Sequence, residues 1–253
     1  MFKDTTLVVV GDSFIFGHYG DDVFYKTCWK RSWVSKLSVM ADFKDYVNLG
    51  LPGGSNQRSY RVIMNYITNN YFENKKFFVI FAATDLLRFE VPFRTEAEGA
   101  DKIQLHMNNH CPFEPLEKHK MLAAGTWTKS ETERIQNYID THNMYFNVDE
   151  YSRSVLNHNI LNLHVLFRNL NIPHCFTQTV GPVDTIYDRI MEFSIPKIKY
   201  PDPLNSMNND LDYCGYLINN GFKPGPCTHF DHDGNEFMAN YIYSRIKGGQ
   251  NGL

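Results

Sequence analysis

Ser13 and His229 stand at opposite ends of the 253-residue chain, and both fall in short polar loops beside apolar elements. A serine hydroxyl is a poor nucleophile until a base takes its proton, and an imidazole titrating near neutral pH is suited to take it. Ser13 closes the triplet Gly11-Asp12-Ser13, directly after the apolar run Thr5 to Val10. His229 lies in Thr228-His229-Phe230, just ahead of the last helical pattern. Two more polar loops intervene, Asn48 through Asn56 and Ala83-Thr84-Asp85. Backbone N–H groups at the start of a helix or turn after Ser13 point outward and stabilise a developing negative charge. Gly53 has no Cβ to hold its own N–H away from a substrate oxygen, and Thr84 carries a further hydroxyl. A nucleophile, a base and oxyanion donors together are the parts of an acyl-transfer site.

Each part has a plainer reading. Gly-Asp-Ser occurs in many turns, and Asp12 reads best as a turn or cap residue bracing the loop. Gly50, Gly53 and Gly54 include simple turn glycines. Thr84 suits an oxyanion donor and a strand-end cap equally. Arg88 and Glu90 read as a structural ion pair, and Trp29 and Trp33 as core. His232 is a surface residue or a neighbour of His229, and the other histidines are scattered.

The elements that must position these residues follow from the apolar pattern. Thr5–Val10 is a continuous β-branched and apolar run, as a buried parallel strand requires. Trp33 to Ala41 has helical spacing, Tyr46-Val47-Asn48 is a short strand, and Ser55 or Asn56 caps a helix running to about Thr68. Phe77 to Ala82 is a third strand, Val148 to about Leu170 an amphipathic helix, His174 to Gln178 a fourth strand, and Gly234 to Ile246 a closing helix. The order β-α-β-α-β predicts a parallel sheet covered by helices on both faces, a three-layer α/β/α sandwich of the flavodoxin-like kind. In such a sheet ligands sit beyond the carboxyl ends of the strands, where the four polar loops converge. The whole chain, 1–253, reads as one domain with two irregular insertions, about 90–143 and 181–226.

With these positions set, the chain resembles the SGNH hydrolases, also called GDSL esterases. The first block is Val10-Gly11-Asp12-Ser13-Phe14. The second is Asn48-Leu49-Gly50-Leu51-Pro52-Gly53-Gly54-Ser55-Asn56, with Gly53 at the oxyanion position, and the third is Ala82-Ala83-Thr84-Asp85-Leu86-Leu87-Arg88. In the last, His229 is followed five residues on by Gly234 and a helix. The blocks span the domain outside the insertions. The resemblance implies an ester hydrolase with Ser13 as nucleophile, His229 as base, Gly53 and Thr84 as oxyanion or substrate contacts, and no cofactor or metal. Blocks two and three look like versions carried by tailed bacteriophages, which would make the protein cytoplasmic or virion-associated. Two departures stand out. Thr84 replaces the family's asparagine, and Pro226 occupies the place of the acid three residues before the histidine. Proline cannot orient an imidazole, so a backbone carbonyl or a nearby acid, Asp231 or Asp233, must do so.

The bulk numbers set the remaining bounds. Net charge is −3, with 25 Lys+Arg against 28 Asp+Glu, which gives no sign of a nucleic-acid binder. No apolar stretch is long enough to span a membrane, and no secretory signal is read at the N-terminus. Five cysteines, an odd number without a CxxC pair, fit a reducing compartment. The expected partner is a small-molecule or carbohydrate ester, with O-acetyl groups a plausible target. The insertions are the candidate surfaces for a second copy or a virion partner. Two alternatives stand beside the esterase reading. One is a virion-associated binding or structural module that kept the fold and lost the rate. The other is a metal-dependent phosphoesterase built on the cluster His229-Phe230-Asp231-His232-Asp233.

Overall fold

Thr5–Val10 forms strand β1 as expected, and four of its six side chains are fully buried because helices cover both faces of the sheet. The structure is a computed structural model that describes residues 2–17, 30–71, 75–86, 88–93, 103–107, 133, 137, 141, 149–180, 198, 212–225 and 229–249. Most of the two expected insertions, and Pro226, lie outside the described residues.

In chain order the elements are β1 (Thr5–Val10), α1 (Ser13–Phe16), α2 (Trp33–Met40), β2 (Asp45–Asn48), α3 (Asn56–Asn70), β3 (Lys76–Ala83), β4 (Phe89–Phe93), β5 (Ile103–Met107), α4 (Asp149–Asn169), β6 (His174–Gln178), α5 (Tyr213–Asn219) and α6 (His232–Gly249). Four strands form a parallel sheet in the order β2-β1-β3-β6. The chain steps from β1 outward to β2, then crosses back to β3 on the other side of β1. The loops after β1 and β3 therefore flank the point where the strand order reverses, the crevice that open α/β sheets use for ligands.

The two-residue period of the strands sorts the core into two layers. Leu7, Val9, Phe78, Ile80 and Ala82 face Trp33, Val34 and Leu37 of α2 and Met238, Ile242 and Ile246 of α6. Val8, Val10, Phe77, Val79, Phe81 and Ala83 face Ile63 and Ile67 of α3 and Leu156, Ile160, Leu163 and Phe167 of α4. Each fully buried side chain of this size contributes about 1.5–3 kcal/mol relative to an exposed one. Trp33 is among the fully buried residues, so it is core, as its spacing indicated.

The insertions hold regular structure beyond what the sequence led us to expect. β4 and β5 pair antiparallel as a separate two-stranded ribbon. α5 sits within 181–226 and is capped by Asp212, whose carboxylate accepts from Gly215 N at 2.6 Å. No helix among the described residues is long and apolar enough to cross a membrane.

Candidate active site

The loop after β1 is a one-turn helix. Asp12 is its N-cap, with Oδ1 accepting from Phe14 N at 3.0 Å, and Gly17 ends it in the left-handed conformation at φ 83°. Ser13 is the first residue of α1 and is 5% exposed. In that position its N–H has no partner within the helix.

The loop after β2 lies against this turn. Leu49 N donates to Val9 O and Leu51 N to Gly11 O, so the second loop prolongs the pairing with β1. Leu51 to Gly54 closes a tight turn through Gly54 N to Leu51 O at 2.8 Å, and Gly53 takes a φ of 71° that favours glycine. The approach is close: a Cβ at Gly50 would fall 2.5 Å from Phe16 N and 3.0 Å from Asp12 O. The N–H groups of Ser13 and Gly53 donate to no described residue. Asn48 fastens the two loops, donating to Ile15 O at 2.7 Å and accepting from Gly50 N at 2.9 Å, and Arg58 Nη1 holds Leu49 O at 3.0 Å. Ser55 caps α3 by accepting from Arg58 N at 3.1 Å.

The loop after β3 is tied in by Asn56, which accepts from Thr84 N at 2.8 Å and donates to Thr84 O at 2.9 Å. The Thr84 hydroxyl donates to Asp12 Oδ2 at 2.6 Å. A hydroxyl has one proton, so Thr84 here braces Asp12 and its side chain has no second proton for an oxyanion. Asp12 Oδ2 also accepts from Thr179 Oγ1 at 2.8 Å and from Arg88 Nη1 at 3.1 Å, while Arg88 Nη1 donates to Thr84 Oγ1 at 3.0 Å. Arg88 thus forms an ion pair with Asp12, and the side chain of Glu90, its expected partner, lies outside what the structure describes. Asp12 is fully buried and draws donors from α1 and from the loops after β3 and β6.

The His229 ring lies tilted at 35° against Phe14, the residue next to Ser13, with centroids 4.7 Å apart, and its Nε2 is shielded from solvent. Tyr213 and Phe230 complete the aromatic surround, with ring centroids 5.4 and 6.5 Å from that of Phe14. The serine and histidine loops are therefore brought together through Phe14, and the described contacts of Ser13 include no hydrogen bond to the imidazole. Catalytic hydrogen bonds of free enzymes are often long and tighten only with substrate bound.

The two acids near His229 are engaged elsewhere. Asp231 caps α6, its Oδ1 accepting from Gly234 N at 3.1 Å, and Asp233 is 85% exposed, 3.7 Å from His232 Nδ1. Neither has a bond to His229. His232 lies on the outer surface beside Lys36 and Glu236. Gly234 packs against Phe230, where a Cβ would come within 2.8 Å of the Phe230 Cβ, so the glycine five residues after the histidine sets the entry into α6. The loop is anchored by Asn235, whose Oδ1 accepts from Trp33 N at 3.0 Å and whose Nδ2 donates to Asp231 O at 2.9 Å.

Cys214, at the start of α5, is pushed up to about 11 by burial, then by Asp212 and by Asp12, so it is a thiol and not a competing nucleophile at neutral pH. Among the described residues no three His, Cys, Asp or Glu side chains are grouped to hold a metal ion. Sequence reasoning did not find Thr179, Asn56 or Asn235. Asn56 and Asn235 belong to the second and last blocks and carried a signal. Thr179 carried none.

No protein-family model matches the sequence, and no curated protein matches it. Solved structures do. A protein assigned to the lipolytic G-D-S-L family from Desulfitobacterium hafniense is 14% identical, with a TM-score of 0.49 over 95% of this chain and 98% of its own. The psychrotrophic esterase EstA from Pseudoalteromonas sp. is 12% identical, with a TM-score of 0.49 over 97% of this chain and 98% of its own. A carbohydrate esterase, described as having divergent catalytic and non-catalytic binding functions at its active site, is 11% identical, with a TM-score of 0.48 over 98% of this chain and 69% of its own. The solved structures to which this chain is similar thus include lipolytic G-D-S-L proteins and esterases.

Proposed function

We propose that the protein is an ester hydrolase acting through Ser13 and His229. Ser13 Oγ attacks the ester carbonyl while His229 accepts its proton. The oxyanion is held by the N–H groups of Ser13 and Gly53. The C–O bond to the alcohol breaks as His229 returns the proton to it, and water then attacks the acyl-enzyme by the same route in reverse. Thr84 serves through Asp12. The observation that carries this reading is the pair of adjoining loops in which two backbone N–H groups have no acceptor among the described residues, beside a serine whose neighbour, Phe14, packs its ring at a tilt against a histidine. The substrate class to screen first is a short acyl ester on a carbohydrate, O-acetyl foremost.

A second reading, a module that retains the fold for binding, is favoured by one observation. The described bonds of Asp231 and Asp233 go to a helix cap and to His232, and neither acid steadies His229.

Intact-mass labelling with a fluorophosphonate separates the two, because the probe modifies an activated serine whatever the natural substrate. One adduct is expected on the wild type, none on Ser13→Ala, and formation at least ~100-fold slower on His229→Ala. A folded wild type that takes no adduct removes the hydrolase reading and leaves the binding module.

A further inference from the structure

Asp12 is a full carboxylate placed next to the residue read as the nucleophile, and it is completely buried. A negative charge there opposes the negative charge that a tetrahedral intermediate would develop on its oxygen, and in a water-poor site such opposition is weakly screened. Its influence extends to a neighbouring element, since Asp12 contributes to the raised pKa of Cys214. The carboxylate nonetheless has structural work. Oδ1 fixes the first turn of α1 through Phe14 N, and Oδ2 ties that turn to Thr84 after β3 and Thr179 after β6.

The positive charge that meets it is Arg88, 12% exposed, with Nη1 shared between Asp12 Oδ2 and Thr84 Oγ1. The Nε of Arg88 is buried without a hydrogen-bond partner. Burying an arginine with an unmet donor is costly. Structural hydrogen bonding alone is therefore a poor account of it, and charge compensation is the better one.

We propose that Asp12 and Arg88 form a charge-balanced positioning pair: Asp12 sets the Ser13 turn, and Arg88 cancels its field where the ester carbonyl reacts. Neither touches substrate, and the inference rests on the reading of Ser13 as nucleophile.

The test is the rate of fluorophosphonate adduct formation, measured on wild type, Arg88→Gln, Arg88→Lys, Asp12→Asn and the double variant Asp12→Asn/Arg88→Gln, each with its melting curve. Arg88→Gln is expected to label about tenfold more slowly or worse, and Arg88→Lys, which keeps the charge, to recover most of that loss. The double variant is expected to label within about twofold of Asp12→Asn, because Arg88 has no charge left to cancel. A merely structural Arg88 would cost the same rate in both backgrounds, and that result overturns the proposal, as does an Arg88→Gln rate equal to wild type. If Arg88→Gln does not fold, the double variant decides: a rate matching Asp12→Asn supports the pair, and a slower one overturns it. A wild type without an adduct removes the hydrolase reading and this inference together. A labelled wild type with equal costs in both backgrounds removes this inference alone.

Discussion

Asp231 illustrates how one side chain is claimed by two possible duties. It is the first acid after His229, in the loop where an orienting carboxylate was expected, and its Oδ1 instead closes the first turn of α6 on Gly234 N. Asparagine caps a helix about as well as aspartate but carries no charge. Asp231→Asn should therefore leave both the melting temperature and the fluorophosphonate labelling rate near wild type, whereas Asp231→Ala should lose about 1 kcal/mol of stability in a denaturant titration. A large fall in labelling with Asn, at unchanged stability, would instead make the carboxylate charge part of the site. Thr84 gives a parallel lesson. Its position in the third block was legible, but whether its single proton serves an oxyanion or Asp12 depends on Thr179 and Arg88 being nearby, and Thr179 lies 167 residues from Asp12 along the chain.

At the scale of elements, α6 is placed by more than its apolar face. Asn235 links the N-terminal turns of α2 and α6, accepting from Trp33 N and donating to the Asp231 and Phe230 carbonyls, and it is nearly buried. Asn235→Ala leaves those backbone groups without their partner and should destabilise the protein by roughly 1–3 kcal/mol by chemical denaturation. Labelling should fall along with it, since Phe230 and His229 lead into the same turn. Strands β1 and β3 were legible because each holds a continuous apolar run, while β2 and β6 are shorter and mixed, and all four boundaries came within a residue or so. The ribbon β4–β5 was not legible. Phe89, Val91 and Phe93 do alternate with Glu90 and Pro92, and Ile103, Leu105 and Met107 with Gln104 and His106, but each run is only five residues long and Pro92 argues against a strand, so the period does not stand out. α5 has seven residues, too few to display a helical period.

At the scale of the whole molecule, the far side of the sheet carries its own acid sensitivity. His174, at the start of β6, has Nδ1 at 2.8 Å from Ile172 O and must donate there, so its Nε2 accepts from His164 Nδ1 of α4 at 2.9 Å. Burial first, then the nearby His164 and Arg168, lower its pKa from 6.5 to about 4, against the opposing pull of the Ile172 carbonyl. His164 is lowered too, by burial and Arg168. A histidine held neutral in the folded state while its unfolded counterpart protonates contributes stability in full above about 6.5, and loses it as pH falls toward 4. The loss attributable to His174 is roughly 2–3 kcal/mol. Urea midpoints measured from pH 7 to pH 4.5 should fall accordingly, and the slope should flatten in His174→Gln.

The strand order has a consequence for how the site is lost. β1 runs between two neighbours, and the Asp12 carboxylate at its end is bonded to the loops that follow β3 and β6. Most enzymes keep their reacting groups on loops that fray before the body of the protein does. Here the turn bearing Ser13 cannot loosen without drawing on three strands of one cooperative sheet. The turn is therefore expected to resist partial melting, and the amide protons of Phe14, Phe16 and Gly17, which donate to Asp12 and Ser13, should exchange with water more slowly than those of an untethered loop.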